Sequence, residues 1–295
     1  MATITTTATT GTTTSSDNRR KRNTGGLIIG IAAIVISAIF FVVPFVFILL
    51  IASKPVAEAN LLEFSWPSNF VLFDNLAQAF AARDYLMVIA FINSVILTVV
   101  SVAAMVIFSA MVAYVWQRRA SRLNPLISML ILAGLIVPPA IVPTIWVLQG
   151  LGLFKTMPGL ILIEIAYGLP FCILLFRAFM STVPRELDEA AVVDGAGPIQ
   201  IFFRVIFPIL RSVIMTVIIL QSVFVYNDFQ NPLYFLPGTQ NATIQLTVAN
   251  FQSQFSTQYN LLFMNMLLIT IPPLLMFLFF NRQIVAGMTS GAIKG

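Results

Sequence analysis

The chain has 295 residues, 59% of them hydrophobic and 9% charged, with a formal net charge of +5. A soluble fold cannot hide that much apolar surface, and several runs reach the roughly 20 residues needed to cross a bilayer. Histidine is absent and cysteine occurs once, at Cys172, which excludes imidazole catalysis, histidine metal sites and an intrachain disulfide.

Residues 1–26 are Thr-rich, then basic, and cannot build a core, so they are expected to be a disordered cytoplasmic N-terminus. Arg19-Arg20-Lys21-Arg22 directly precedes an apolar run, Leu27 to Ala52. That run exceeds the ~7–15 residues of a signal-peptide core and reads as a retained first span. Lys54 to about Leu86 forms an outer segment with room for a surface helix around Asn75–Ala82. The second span runs from about Met87 to Trp116 and the third from about Pro125 to Leu148. Pro138, Pro139 and Pro143 should kink or interrupt the third, because proline removes backbone donors. The fourth runs from about Gly159 to Met180, the fifth from Ser212 to Phe229 and the sixth from Leu261 to Phe280. Residues 230–260 make a second outer segment, with no charged side chain.

Charge orients these six spans. With both termini inside, only Lys54, Arg83 and Lys155 fall outside, and every other Lys and Arg falls inside. Cytoplasmic loops carry that excess. The basic balance therefore reports membrane topology, and no nucleic-acid partner is expected.

The longest charged interval between spans is residues 184–211. It has the grammar of two short helices joined by a tight turn. Pro184 suits a first helical position. Glu186, Asp188 and Glu189 place negative charge near the helix start, where the dipole favours it. Ala190 and Ala191 are small helix formers, and Gly195 supplies a stop. Gly197-Pro198 opens a second helix that Pro208 limits. Such a knob at a membrane surface suits docking to a partner protein.

Glu189-Ala190-Ala191, Asp194-Gly195-Ala196 and Pro208 closely resemble the EAA loop of ABC-importer permeases. The family pattern is Gly, nine residues, Ile, any residue, Leu, Pro; here Gly195 is followed by nine residues, then Val205, Ile206, Phe207 and Pro208. A second family proline is replaced by Arg211-Ser212. Asn93-Ser94, Ala113-Tyr114, Arg118, Asn227-Asp228-Phe229 and the Gly-rich tail 285–295 are similar to the carbohydrate branch. That tail resembles the smaller, maltose-type permease subunit.

The resemblance implies an all-α, six-helix type I permease fold. It implies a permease domain over 27–283 and a cytoplasmic tail over 284–295. It implies a partner set: a second homologous permease, two ATPase subunits and an extracytoplasmic sugar-binding protein. ATP and magnesium would then sit on the ATPase chains, and no cofactor or metal on this one. The nearest approach to a phosphate-binding loop, Gly150 to Thr156, has Phe154 where glycine is required. The cell location implied is a bacterial or archaeal cytoplasmic membrane. Glu189, Ala190, Ala191, Asp194, Gly195, Ala196 and Pro208 would couple to the ATPases, with Gly291, Lys294 and Gly295 of the tail as a further contact or a frayed end.

An acid at membrane depth is costly enough to suggest function, and two carboxylates qualify, both near span ends where water lowers that cost. Glu164 reads as an interfacial or inter-subunit polar contact. Asp228, with Tyr226 and Asn227, suits either a sugar-facing path or a helix-end polar cluster. Nothing in their spacing brings the two acids together. Two other classes compete with the importer: a membrane scaffold subunit, and an ion-coupled carrier, for which intramembrane acids are scarce.

Overall fold

A computed structural model describes residues 24–238, 241–248 and 258–292. Twelve helices carry the labels used below. They are α1 (Thr24–Ala52), α2 (Val56–Ala59), α3 (Leu72–Arg118), α4 (Asn124–Ile136), α5 (Ile141–Gly150) and α6 (Met157–Met180). There follow α7 (Glu186–Val193), α8 (Pro198–Ile201), α9 (Phe207–Ile209), α10 (Arg211–Tyr226), α11 (Gln230–Phe235) and α12 (Tyr259–Ala292). A π-helical turn over Phe202–Ile206 joins α8 to α9.

Among the described residues, four helices are long and apolar enough to span a membrane: Ile29–Ala52, Asp84–Arg118, Met157–Met180 and Tyr259–Phe280. Two bent pairs, α4 with α5 and Pro198–Ile209 with α10, raise this to six if each pair is one span. The chain is thus an all-helical, multi-pass membrane protein. The chain divides into two compact units after Val46. In the first, α1 turns Ile29, Ile34, Phe40 and Phe41 outward, as suits a helix solvated by lipid.

The second unit is built on α3. Its first turns, before Asp84, form the expected surface helix. Asp84 and Tyr85 both take positive φ, 55° and 59°, and separate that helix from the span. Beyond them, Val102, Met105, Val106, Ala110, Ala113 and Trp116 recur at three- and four-residue intervals and are buried. This stripe meets Leu160, Cys172, Phe176 and Met180 of α6 and Val213 and Val217 of α10. The same core continues into Val183, Ala191, Ile201, Phe202, Ile206 and Leu210, so apolar packing runs unbroken from the spans into the interhelical loop.

Of the two outcomes expected for the third span, a kink or an interruption, the structure has the interruption. Prolines 138 and 139 stop α4, and α5 leaves at 116°. Pro143 lies in the first turn of α5, where its missing donor has no intrahelical partner to lose. Pro170, Pro272 and Pro273 sit inside continuous helices. α4 approaches α6 closely at Gly134, where a Cβ would lie 2.8 Å from Pro170 Cγ. Small residues permit such approaches between membrane helices. Gly134→Val is therefore expected to overpack this contact, at about 1–3 kcal/mol. The check is a lowered melting midpoint of the detergent-solubilised protein.

Candidate functional site

The loop between α6 and α10 is a folded knob. α7 begins at Glu186, two residues later than Pro184 as a first helical residue would place it. The cause is Arg118 at the end of α3. Its guanidinium donates to the carbonyls of Val183 and Pro184, both at 3.0 Å, which holds these residues outside the helix. Arg118 also pairs with Asp188 at 2.9 Å. The Tyr114 hydroxyl donates to the other Asp188 oxygen at 2.7 Å. Arg185 donates back to the Gln117 carbonyl at 3.4 Å. One turn of α3 thus grips the start of α7 through four side chains.

α7 ends in a Schellman motif. Gly195 N–H donates to the Val192 carbonyl and Ala196 N–H to the Ala191 carbonyl, at 2.9 and 3.0 Å. Gly195 has φ of +81°, the left-handed conformation that the motif requires. Ala191 points into the core and Ala196 packs against it, the apolar contact that accompanies this cap. Gly197-Pro198 starts α8 as read from the sequence. Pro208 does not end the second helix outright. A π turn precedes it and absorbs the missing donor, and the elbow falls at Leu210, where the axis turns by 76°. Phe202 in that turn lies 5.6 Å from the Tyr114 ring, so Tyr114 touches both halves of the knob.

What the knob leaves outside is specific. Glu189, Ala190, Asp194 and Pro208 are exposed. Val192, Val193 and Ile199 are 60%, 86% and 75% exposed, more than an isolated soluble surface turn would leave uncovered. The Glu189 carboxylate has no hydrogen-bond or ion-pair partner among the described residues. Of the other contact candidates, Gly291 lies in α12, whose backbone runs unbroken to Ala292. Lys294 and Gly295 lie outside the described residues.

At the opposite end of the spans, the residues 226–228 face three ways. Tyr226 is buried with Leu86, Met87 and Ile269. Asn227 is exposed, accepts from Gln245 Nε2 at 3.0 Å, and lines an open groove of about 430 Å³ with Gln245, Thr270 and Pro273. Asp228 turns to the start of α11, where Oδ1 accepts from Gln230 N–H at 2.9 Å and Asn231 N–H at 3.3 Å. Of the three, Asn227 lines this groove.

The two carboxylates do meet, against the expectation from spacing. α11 folds back on α6, so Asn231 bonds both acids, its amide N–H donating to Asp228 and its side chain to Glu164. Glu164 is 1% exposed and accepts from Asn231 Nδ2 at 3.2 Å. This cluster ties α11 to α6.

The two segments expected on the outer side of the membrane are packed in part against the helices. Residues 241–248 tuck onto α3 and α12: the Ile244 amide donates to Ser94 Oγ at 2.8 Å, and Asn93 Nδ2 to the Ala242 carbonyl at 3.2 Å. In the segment after α1, Lys54 is 1% exposed, its ammonium bonded to the Glu63 carbonyl and Ser65 Oγ at 2.8 and 2.9 Å. Ser68 donates to Glu58 through its hydroxyl and its amide, and these bonds hold the Glu58 carboxyl below the usual carboxylate range. Trp66 and Phe73 of this segment are 86% and 74% exposed.

Residues 105–290 match the model of the family described as binding-protein-dependent transport system inner membrane component. The melibiose/raffinose/stachyose import permease protein MelC of Bacillus subtilis is 32% identical over 268 residues, 90% of this chain and 95% of that protein. The trehalose transport system permease protein SugB of Mycobacterium tuberculosis is 36% identical over 232 residues, 76% of this chain and 83% of that one. Among solved structures, a chain of a bacterial ABC transporter importing the acidic polysaccharide alginate superposes with a TM-score of 0.77 at 18% identity. It covers 89% of this chain and 97% of that one. A chain of a bacterial alginate ABC transporter, in complex with a periplasmic protein carrying an alginate pentasaccharide, superposes at 0.64.

Proposed function

Because the chain belongs to the binding-protein-dependent transport system inner membrane components, we propose that it is one permease subunit of an ATP-driven importer for a sugar or oligosaccharide. It is a transport subunit and not an enzyme. One observation carries the proposal further: an exposed short helix, α7, is clamped at its start by α3 and joined by apolar core to α6 and α10. Such a helix transmits force. An ATPase subunit that moves it must move the spans.

In this reading both termini and the α7 knob face the cytoplasm, as the distribution of Lys and Arg favours. Glu189, Ala190, Ala191, Asp194, Gly195, Ala196 and Pro208 form or shape the surface that meets the ATPases. Exposed Val192, Val193 and Ile199 supply its apolar area. ATP and magnesium bind those partner chains, and this chain needs no cofactor. A second, homologous permease completes the translocation path, and an external sugar-binding protein delivers cargo. The open groove at Asn227, Gln245 and Thr270 is the candidate for cargo passage on this subunit. Residues 27–283 make the permease domain and 284–295 the tail. The relatives named above for melibiose, raffinose, stachyose and trehalose support the cargo class.

The test is uptake of labelled raffinose and trehalose by vesicles holding this chain, its neighbouring permease, the ATPases and the binding protein. Uptake should require ATP and the binding protein and survive a proton or sodium ionophore. Uptake that ignores ATP and collapses with the ionophore would make the chain an ion-coupled carrier.

A further inference from the structure

Where α3 turns into α4, the surface opens into a cleft of about 850 Å³. Met111, Val115 and Trp116 of α3 and Ile127 of α4 give it an apolar lining, and Arg119 and Arg122 stand in the connecting turn. No acidic residue lines it. Both arginines are exposed, and among the described residues neither guanidinium has an ion-pair or hydrogen-bond partner. Arg177 stacks on the Trp116 ring at 3.5 Å, which adds a third positive charge beside the cleft. The turn is braced from within. Asn124 Nδ2 donates to the Arg119 carbonyl at 3.1 Å, and the Leu123 amide to Ser121 Oγ at 3.2 Å.

Two features choose the occupant. A soluble phosphate or an acidic protein segment would satisfy the arginines, but neither needs a lining of Met111, Val115 and Ile127. That lining is continuous with the exposed faces of two apolar spans, where Val112 and Leu126 also point outward. A ligand with an anionic head and hydrocarbon tails satisfies both halves at once. Basic pockets between spans at the cytoplasmic surface suit anionic lipid headgroups. We propose that this cleft binds one anionic phospholipid of the inner leaflet, its phosphate between Arg119 and Arg122 and an acyl chain along Met111, Val115 and Ile127. The proposal rests on the cytoplasmic placement of the α3–α4 turn given above.

The probe is phosphatidylglycerol. The assembled importer is purified from nanodiscs of phosphatidylglycerol and phosphatidylcholine, and retained lipid is counted by native mass spectrometry. Each arginine near an anionic surface contributes about fivefold in affinity, so Arg119→Gln with Arg122→Gln should lower phosphatidylglycerol retention by roughly 25-fold. Each single variant should show about fivefold, which keeps the result readable if the double variant is poorly made. The Arg119→Lys, Arg122→Lys pair should retain most of the lipid, and Arg204→Gln, in the π turn, all of it. Equal retention by the double glutamine variant overturns the proposal. So does displacement of the lipid by excess inorganic phosphate, or capture of a partner subunit, not lipid, by a photoreactive group at Leu123. Failure of the importer reading would show separately, as absent ATP-driven uptake by the unaltered chain.

Discussion

Gly195→Val should reach the membrane in normal amount and lose ATP-driven sugar uptake by about fivefold to thirtyfold. Gly195 sits at φ +81°, in the left-handed region that costs an ordinary residue roughly 1–2 kcal/mol and a β-branched one more. No neighbouring atom lies within 4 Å of where a Cβ would be, so the cost is conformational strain and not collision. The chain relieves that strain by giving up the two hydrogen bonds of the Schellman turn. α7 and α8 then lose their fixed relation, and the knob no longer presents one surface. The spans keep their own part of that core, Leu160, Phe176, Val213 and Val217 among it, so the chain still folds into the membrane. Gly195→Asn is the internal control. Asparagine tolerates the left-handed conformation, and this variant should keep most of the uptake. Equal uptake by the valine and glycine chains would show that the turn does not set the coupling surface.

The knob shows how much of a site can be read from residues alone. Gly195, Gly197-Pro198 and the acidic start of α7 are local signals, each set by backbone conformation within a few residues, and the structure places a turn or a helix end at each. The π turn was not legible. Its cause, Pro208, is visible, but a helix can answer a missing donor by stopping, kinking or widening, and packing of Phe202 against Tyr114 decides among these. The break after α4 has the same character: Pro138-Pro139 announces a disturbance, and only tertiary packing sets its 116°. Pairings distant in sequence were wholly hidden. Glu164 and Asp228 come together at Asn231 because α11 doubles back, and no periodicity within α6 or α10 records that. The sequence places residues 241–248 only between two spans, and nothing in it records that Ser94 and Asn93 of α3 supply the partners that let them be buried.

The anchor of the knob gives the second large effect, and it separates holding the ATPase from being moved by it. Asp188→Ala and Arg118→Ala should each leave the ATPases bound and uncouple hydrolysis from uptake. Asp188 is gripped by Tyr114 and Arg118, with side-chain exposures of 13% for the arginine and 17% for the acid. At that burial the pair is worth more than an open surface bridge, about 1–3 kcal/mol with its hydrogen bonds. Arg118→Ala should do the greater harm, since Arg118 also holds the carbonyls of Val183 and Pro184. None of these contacts uses Glu189, Ala190, Val192 or Val193, so the docking face survives. α7 becomes a handle with a loose root: an ATPase stroke turns the helix without turning α3. The expected signature is normal co-purification of ATPases, hydrolysis that no longer responds to loaded binding protein, and weak uptake. Glu189→Lys should give the opposite pattern, loss of co-purification with α7 still anchored. A double-mutant cycle on Arg118 and Asp188 should be clearly non-additive, because either change alone dissolves the same clamp. Additive losses, or uptake unaffected by removing both side chains, would mean that force enters the spans through the apolar core of α8 to α10 alone.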